Sequence, residues 1–324
     1  MLRSLRLMVS AWMATIWGRF LGRPRHATWP FVFELLVRYL RLDWDETASW
    51  DDEKLRTDLN ARPYPNKFAK RVKIVESSLG GVPAWRFVPR DTKASRCVLF
   101  LHGGSYIYGS ARTTHAELIA RIAFETGLEV IGLDFCLAPE HRYPSQLEDA
   151  VTAFDALVSN GVPAQQIVIA GDSSGGNLAV ALQIALRDRG GPQAVGMVLS
   201  SPWVNLEMPA ASFKENDPFD YGTRDVLARQ ALSFAGGLSL SDARISPSHA
   251  NLQGLAPCLV TVGELEIPRD DILEFAERLK NAGVSVTLHV AKNMPHNAPV
   301  FAAYHPEGRS ALDAIVRFVQ SRFD

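Results

Sequence analysis

The sequence predicts an α/β protein built on a mostly parallel sheet covered on both faces by helices. Three observations carry that expectation. From residue 97 onward, short β-branched apolar runs alternate with longer helical ones, as in a sheet sandwiched between helix layers. The runs are apolar throughout, as strands buried on both faces are. Two glycine motifs, His102-Gly103-Gly104 and Gly171-Asp172-Ser173-Ser174-Gly175, stand at the ends of two such runs.

Taken in order, residues 1–60 read as helices, with Trp29-Pro30 opening a run at helical spacing over 31–42. The apolar stretch 7–17, behind Arg3 and Arg6, is too short to span a bilayer and lacks a small-residue cleavage site. It predicts an amphipathic helix packed on the body. Residues 1–42 carry seven arginines against one glutamate, and tryptophans stand at 12, 17, 29, 44 and 50. A weak membrane-surface contact through this helix is therefore the sharper alternative. A proline-rich loop follows at 60–66, then a hairpin with strands near 72–75 and 83–88 around Gly80-Gly81. Strands are expected at 97–101, 129–133, 167–170, 197–199, 259–262 and 286–290. Helices are expected at 114–126, 146–159, 177–189 and 270–282, the last stopped by Gly283. Residues 205–242 break the rhythm and read as an insertion with a helix near 223–235.

Bulk properties narrow the function classes. A chain of 324 residues, 47% hydrophobic, suits one large domain with insertions as well as two domains. A net charge of −1 leaves no electrostatic footprint for nucleic acid. Cys97 and Cys258 lie in strand-like runs and Cys136 follows another, so all three read as small buried hydrophobes without metal-ligand spacing. That usage agrees with a reducing cytoplasm. The protein is expected there, free or peripheral to a membrane, with no metal and no cofactor.

The second glycine motif fits a strand–turn–helix that raises a serine on a tight turn, glycines flanking it where a Cβ has no room. The Gly-x-Ser-x-Gly frame selects Ser173 over Ser174, because only Ser173 has a glycine two residues on either side. A serine hydroxyl needs a histidine base, and the histidine needs an acid. Where a serine sits on such a turn, acid and histidine follow it in chain order on later strand ends. His296 follows the last strand and is preferred; His289 lies inside that strand, and His249 and His305 read as loop or surface residues. The acid should leave the strand 259–262. Asp270 and Asp271 suit the start of a helix, which leaves Glu264 and Glu266.

Over residues 70–320 the chain resembles the hormone-sensitive-lipase-like group of α/β-hydrolases, the bacterial family IV esterases. The matching residues are His102-Gly103-Gly104, Leu137-Ala138-Pro139-Glu140-His141, Gly171 to Leu178, Ser201-Pro202-Trp203 and Met294-Pro295-His296. The resemblance implies an α/β-hydrolase fold with a helical cap. The cap would comprise residues 1–70 and an insertion at about 205–242, set on a catalytic domain 71–324. Aligning Arg269-Asp270 with the end of the family's Asp-Pro-Leu-x-Asp acid loop puts Glu266 at the acid position, with Asp270 as the fallback. Ser174 stands where the family usually has alanine, and acts through its backbone. The resemblance further implies a catalytic trio Ser173, Glu266 and His296, an oxyanion hole of Gly103, Gly104 and Ser174 N–H groups, and pocket residues Tyr106, Tyr108 and Phe219. The implied activity is hydrolysis of short- to medium-chain carboxylic esters, small-molecule substrates, through an acyl-enzyme. Lactone hydrolysis and interfacial lipase action use the same machinery. A non-catalytic ligand-binding protein is the distant alternative, and such proteins tend to lose a trio member. Oligomeric state, a dimer included, is left open.

Overall fold

The structure, a computed structural model, describes residues 2–64, 66–90, 92 and 96–324. Three helices precede the sheet: α1 (Leu2–Phe20), α2 (Phe31–Thr47) and α3 (Asp52–Asn60). An antiparallel hairpin follows, β1 (Val72–Leu79) and β2 (Val82–Pro89), turning on Gly80-Gly81 with both residues at positive φ, the geometry that matches the twist of the strands it joins. β3 (Cys97–Leu101), β4 (Glu129–Leu133), β5 (Ile167–Asp172), β6 (Gly196–Ser200), β7 (Cys258–Gly263) and β8 (Val286–Ala291) complete one sheet. Its order is β1-β2-β4-β3-β5-β6-β7-β8. β2 pairs antiparallel with β4, and every pairing from β4 to β8 is parallel.

Alternation along the parallel strands divides the interior into two cores. Leu99, Leu101, Ile169 and Val260 face a core shared with α5 (Ser145–Ser159), α6 (Ser174–Asp188) and α9 (Arg269–Asn281). Val98, Phe100, Val168 and Leu259 point the other way, into a core with α4 (Ala116–Thr126) and α10 (Pro306–Ser321). Neighbouring residues on a strand point to opposite faces, so a continuous apolar run serves both cores at once.

Two elements differ from the expectation. α6 starts at Ser174, not 177, because Gly175 and Gly176 belong to its first turn rather than to a loop. α10 lies beyond the last strand, where no helix was expected; Ala311, Leu312, Ile315 and Phe318 form its buried stripe.

The α1–α3 segment and the 205–242 segment, which holds α7 (Ser212–Glu215) and α8 (Arg224–Ala235), meet above the carboxyl ends of the strands. Trp29, Phe33 and Val37 form a third core with Met294, Ala298 and Phe301, against which Phe219 and Tyr221 pack. Trp44 Nε1 donates to Thr223 Oγ1 at 3.1 Å, and Arg25 donates to the carbonyls of Pro218 and Asp220 at 2.8 Å each.

α1 packs on the body against α2, as expected, but with most of its apolar residues turned outward. It turns only Leu7, Ala11 and Thr15 inward, while Trp12 is 50% exposed and Trp17 61%. Its attachment is polar instead: Arg3 binds Asp43 at 2.6 Å and Arg19 binds Glu34 at 2.8 Å.

Two phenylalanines test this division. Phe154 in α5 is fully buried and Phe20 in α1 is 78% exposed. Chemical denaturation should show Phe154→Ala costing about 3–5 kcal/mol and Phe20→Ala changing stability by about 0.5 kcal/mol or less.

Candidate active site

β5 ends at Asp172 and α6 begins at Ser174, so Ser173 alone makes the turn, at φ 54° and ψ −121°. This is unfavourable backbone for a non-glycine residue, and its neighbours hold it in place. Ser173 N–H donates to Ser200 O at 2.9 Å, and Ser173 O accepts from Asn177 N–H and Trp203 N–H. A Cβ on Gly175 would overlap Leu101 O, and one on Gly171 would overlap Gly175 O. The flanking glycines are therefore steric necessities of the turn. The hydroxyl of Ser173 faces a cavity and makes no hydrogen bond among the described residues.

The loops after β7 and β8 bring Glu266 and His296 to the same place. His296 lines the cavity with Ser173, and its Nδ1 lies 2.6 Å from Glu266 Oε2. A carboxylate oxygen only accepts, so Nδ1 carries the proton and Nε2 is left as a free acceptor. The other oxygen, Oε1, accepts Gly263 N–H at 2.8 Å. Glu264 instead accepts Asn293 N–H at 2.8 Å, and Asp270 pairs with Arg269 at 2.7 Å. Of these carboxylates Glu266 reaches the imidazole and Glu264 and Asp270 do not. His249 pairs with Glu207, His305 caps α10 and His289 stays within β8.

Burial works against a charged His296, but the hydrogen bond and charge of Glu266, with Asp220 beyond, outweigh it and hold the imidazole pKa above its ordinary 6.5. Burial likewise lifts the Glu266 pKa, against the downward pull of His296 and of Gly263 N–H.

The glycine motif supplies donors, though not the pair expected from sequence. Gly103 N–H is already committed to Asp172 Oδ1 at 3.0 Å, so it is not available to a substrate. Gly104 and Ser105 line the cavity beside Ser173. Ser105 takes a positive φ of 54° and Gly104 one of 124°, and a Cβ on Gly104 would overlap Tyr108 O. Ser174 N–H is one of the open donors of the first turn of α6. Ser105 lies just outside the His102-Gly103-Gly104 motif, and nothing in its own residue type marks its N–H as a donor.

Asp172 organises this corner. Its second oxygen accepts from Asn297 Nδ2 at 2.8 Å and lies 3.2 Å from His115 Nε2. Burial would raise its pKa; the charge and hydrogen bond of His115, with Gly103 N–H, prevail and hold it below the ordinary value. His102 stacks on Phe135 and donates Nδ1–H to Gly103 O at 2.8 Å. Burial first, then His115, pushes its pKa down to about 4, which leaves it neutral.

The cavity measures about 220 Å³, walled by Trp44, Tyr108, Trp203, Tyr221, Leu227 and Val300. Tyr108 is thus a wall, and Tyr106 and Phe219 are not. Tyr106 is sealed in the core, stacked on Phe234 with its hydroxyl donating to Asn177 Oδ1 at 2.8 Å. Phe219 packs on His26 with ring centroids 5.7 Å apart. The direction of an aromatic side chain is set by tertiary packing, which local sequence does not display.

Sequence reasoning also missed Asp220. It is fully buried beneath the insertion, and its carboxylate accepts N–H groups of Tyr221 at 2.8 Å, Ile267 at 2.8 Å and His296 at 3.1 Å. One side chain therefore ties the insertion to both the Glu266 loop and the His296 loop. Burial raises its pKa, against the pull of His296 and the three N–H donors.

Comparison with known proteins agrees with this architecture. Residues 98–300 match the family described as alpha/beta hydrolase fold. An esterase of Acinetobacter venetianus is 33% identical over 240 residues, 72% of this chain and 78% of the relative. The carboxylesterase NlhH of Mycobacterium tuberculosis is 31% identical over 282 residues, covering 82% and 88% respectively. Among solved structures, a hormone-sensitive lipase from a metagenome library superposes with a TM-score of 0.84 at 30% identity, covering 89% of this chain and 97% of that one. The chain belongs to the α/β-hydrolase family, in its hormone-sensitive-lipase-like esterase group.

Proposed function

We propose that the protein is a carboxylic ester hydrolase acting on short- to medium-chain esters through an acyl-enzyme on Ser173. The observation that carries this reading is the 2.6 Å contact of Glu266 with His296 Nδ1, in a cavity shared with Ser173. Ser173 Oγ attacks the ester carbonyl while His296 Nε2 takes its proton, and Glu266 stabilises the imidazolium. The carbonyl oxygen becomes an oxyanion held by the N–H groups of Gly104, Ser105 and Ser174. One such donor is worth roughly 2.7–4 kcal/mol in other serine hydrolases. His296 then returns the proton to the leaving alcohol, and water attacks the acyl-enzyme by the same route. The turn is held by backbone partners, the carbonyl of Ser200 and the N–H groups of Asn177 and Trp203, so the serine is preorganised before substrate arrives.

A cavity of about 220 Å³ falls below the roughly 300–1,000 Å³ of pockets for drug-sized ligands, which supports small acyl groups. Residues 1–70 and 205–242 act as the cap of a catalytic domain 71–324, supplying Trp44, Tyr221 and Leu227 to the cavity wall. Three free cysteines, two of them buried, support a cytoplasmic location. Asp220 is a positioning residue, since it holds the backbone of both the acid and the base loops.

In a p-nitrophenyl ester series, kcat/KM should be highest for acetate to hexanoate and fall for longer chains. Ser173→Ala should abolish turnover of every ester with the fold intact; undiminished turnover would remove Ser173 from the mechanism.

Glu266→Ala should lower kcat/KM by about 10³–10⁴-fold, and Asp270→Ala by about threefold or less. The base must be neutral to accept a proton. With its pKa raised, His296 is neutral only above pH 6.5, so the acidic limb of the kcat/KM profile should lie above that pH. Removing the Glu266 carboxylate removes the largest raising influence, and the limb should move to lower pH.

Asp220→Asn would turn one accepting oxygen into a donor facing a buried N–H, at a cost of about 1–3 kcal/mol. Steady-state kinetics should show kcat/KM falling about tenfold. The acidic limb should also move to lower pH, because the Asp220 charge helps to raise the His296 pKa. An unmoved limb would leave Asp220 with only a structural role.

A further inference from the structure

We infer that the outward face of α1 docks the protein on the surface of an anionic lipid bilayer, an inference independent of the proposed hydrolysis. At 3.6 residues per turn, Leu2, Leu5, Val9, Trp12, Ile16 and Phe20 fall on one side of the helix, and all are exposed. Met8, Met13 and Trp17 widen this face to roughly half the circumference. Arg19 and Arg6 lie near the two edges of this arc, and both are held by carboxylates of the body, Glu34 and Glu46. Exposed apolar patches of this kind mark interaction surfaces.

The charges of α1 are drawn back to carboxylates of the body. Arg3 pairs with Asp43, Glu46 and Asp58, and Arg19 with Glu34. The helix is therefore anchored to the body by its polar side and presents its apolar side outward. No helix among the described residues is long and apolar enough to cross a membrane, so the face would lie in the bilayer surface. Tryptophans on an apolar face with arginines at its border are the composition of interfacial helices.

Charge decides between a bilayer and a second copy of the chain. Residues 2–25 contain five arginines and no aspartate or glutamate. A two-fold contact on this face sets like against like, bringing the arginines that border it, Arg6 beside Glu46 and the exposed Arg23, towards their own copies. An anionic headgroup layer complements them. α1 rests on α2, whose Trp44 lines the cavity, and packed helices stand about 8–10 Å apart. Docking would hold the cavity one helix layer from the membrane, within reach of esters partitioned there.

The test is co-sedimentation of the full chain with vesicles of phosphatidylglycerol and phosphatidylcholine, beside vesicles of phosphatidylcholine alone. The wild type should pellet with the anionic vesicles and less with the neutral ones. The triple variant Trp12→Ser, Trp17→Ser, Phe20→Ser should lose about tenfold or more of that partitioning. Its hydrolysis of soluble p-nitrophenyl butyrate should match the wild type, which shows that the fold persists and keeps the two readings separate. A wild type that stays in the supernatant overturns the inference, as does a triple variant that pellets equally well. A wild-type dimer that the triple variant reduces to monomers, with no vesicle binding by either, overturns it in favour of self-association.

Discussion

The site is built around one backbone constraint, the positive φ of Ser173 between β5 and α6. A strand that runs into a helix with a single residue between them must turn sharply, and the turn leaves no space for side chains at Gly171 and Gly175. It also fixes where the neighbours of the serine point. Asp172 is driven inward, where its carboxylate takes Gly103 N–H and so shapes the glycine turn. Ser174 is placed at the head of α6, where N–H groups have no intrahelical partner. Nucleophile and oxyanion donors thus arise from one geometric requirement and do not need separate construction.

Four buried carboxylates then connect segments that are distant in the chain. Asp172 joins the glycine turn to Asn297, next to His296. Glu266 joins its own loop to the imidazole. Asp220 joins the 205–242 segment to both of those loops. Glu34 gathers Arg19, Arg38 and Arg25 N–H at the base of the N-terminal helices. A buried carboxylate is costly unless its oxygens are satisfied, and each of these has several donors. That cost favours the arrangement in which all the donors are in place, so these groups specify geometry more than they add stability.

How legible each part was in the sequence follows from how local its cause is. The sheet was legible because strands buried on both faces are continuous apolar runs, and the hairpin because Gly80-Gly81 meets a positive-φ requirement on the spot. Strand order placed Ser173, His296 and an acid on loops at the carboxyl ends of β5, β8 and β7, and the family resemblance chose Glu266 over Glu264 as that acid. Gly103 was misassigned because its partner lies 69 residues away, and no local pattern reveals that its N–H is taken. Tyr106 and Phe219 were misassigned for a related reason, since Phe234 and His26 decide which way their rings face. Asp220 was invisible because its three N–H partners become neighbours only after folding. In α1 the apolar periodicity was readable, but periodicity does not say which side meets the body. The ion pairs of Arg3 and Arg19 decide that.

Those ion pairs also bear on how firmly the N-terminal segment is held. Arg25 and Arg41 reach the carbonyl of Asp220, and Arg41 also pairs with Asp217. The Asp220 carboxylate in turn holds Ile267 N–H and His296 N–H, and Trp29 Nε1 donates to Asn293 O at 2.6 Å. A continuous set of hydrogen bonds therefore runs from the arginines of the N-terminal segment to the backbone of the proposed base. Such a cap is fastened at many points, and α1 is carried on it as a fixed ridge. A surface already ordered before contact loses little conformational entropy on binding, so an outward apolar helix held in this way is preorganised for a flat partner.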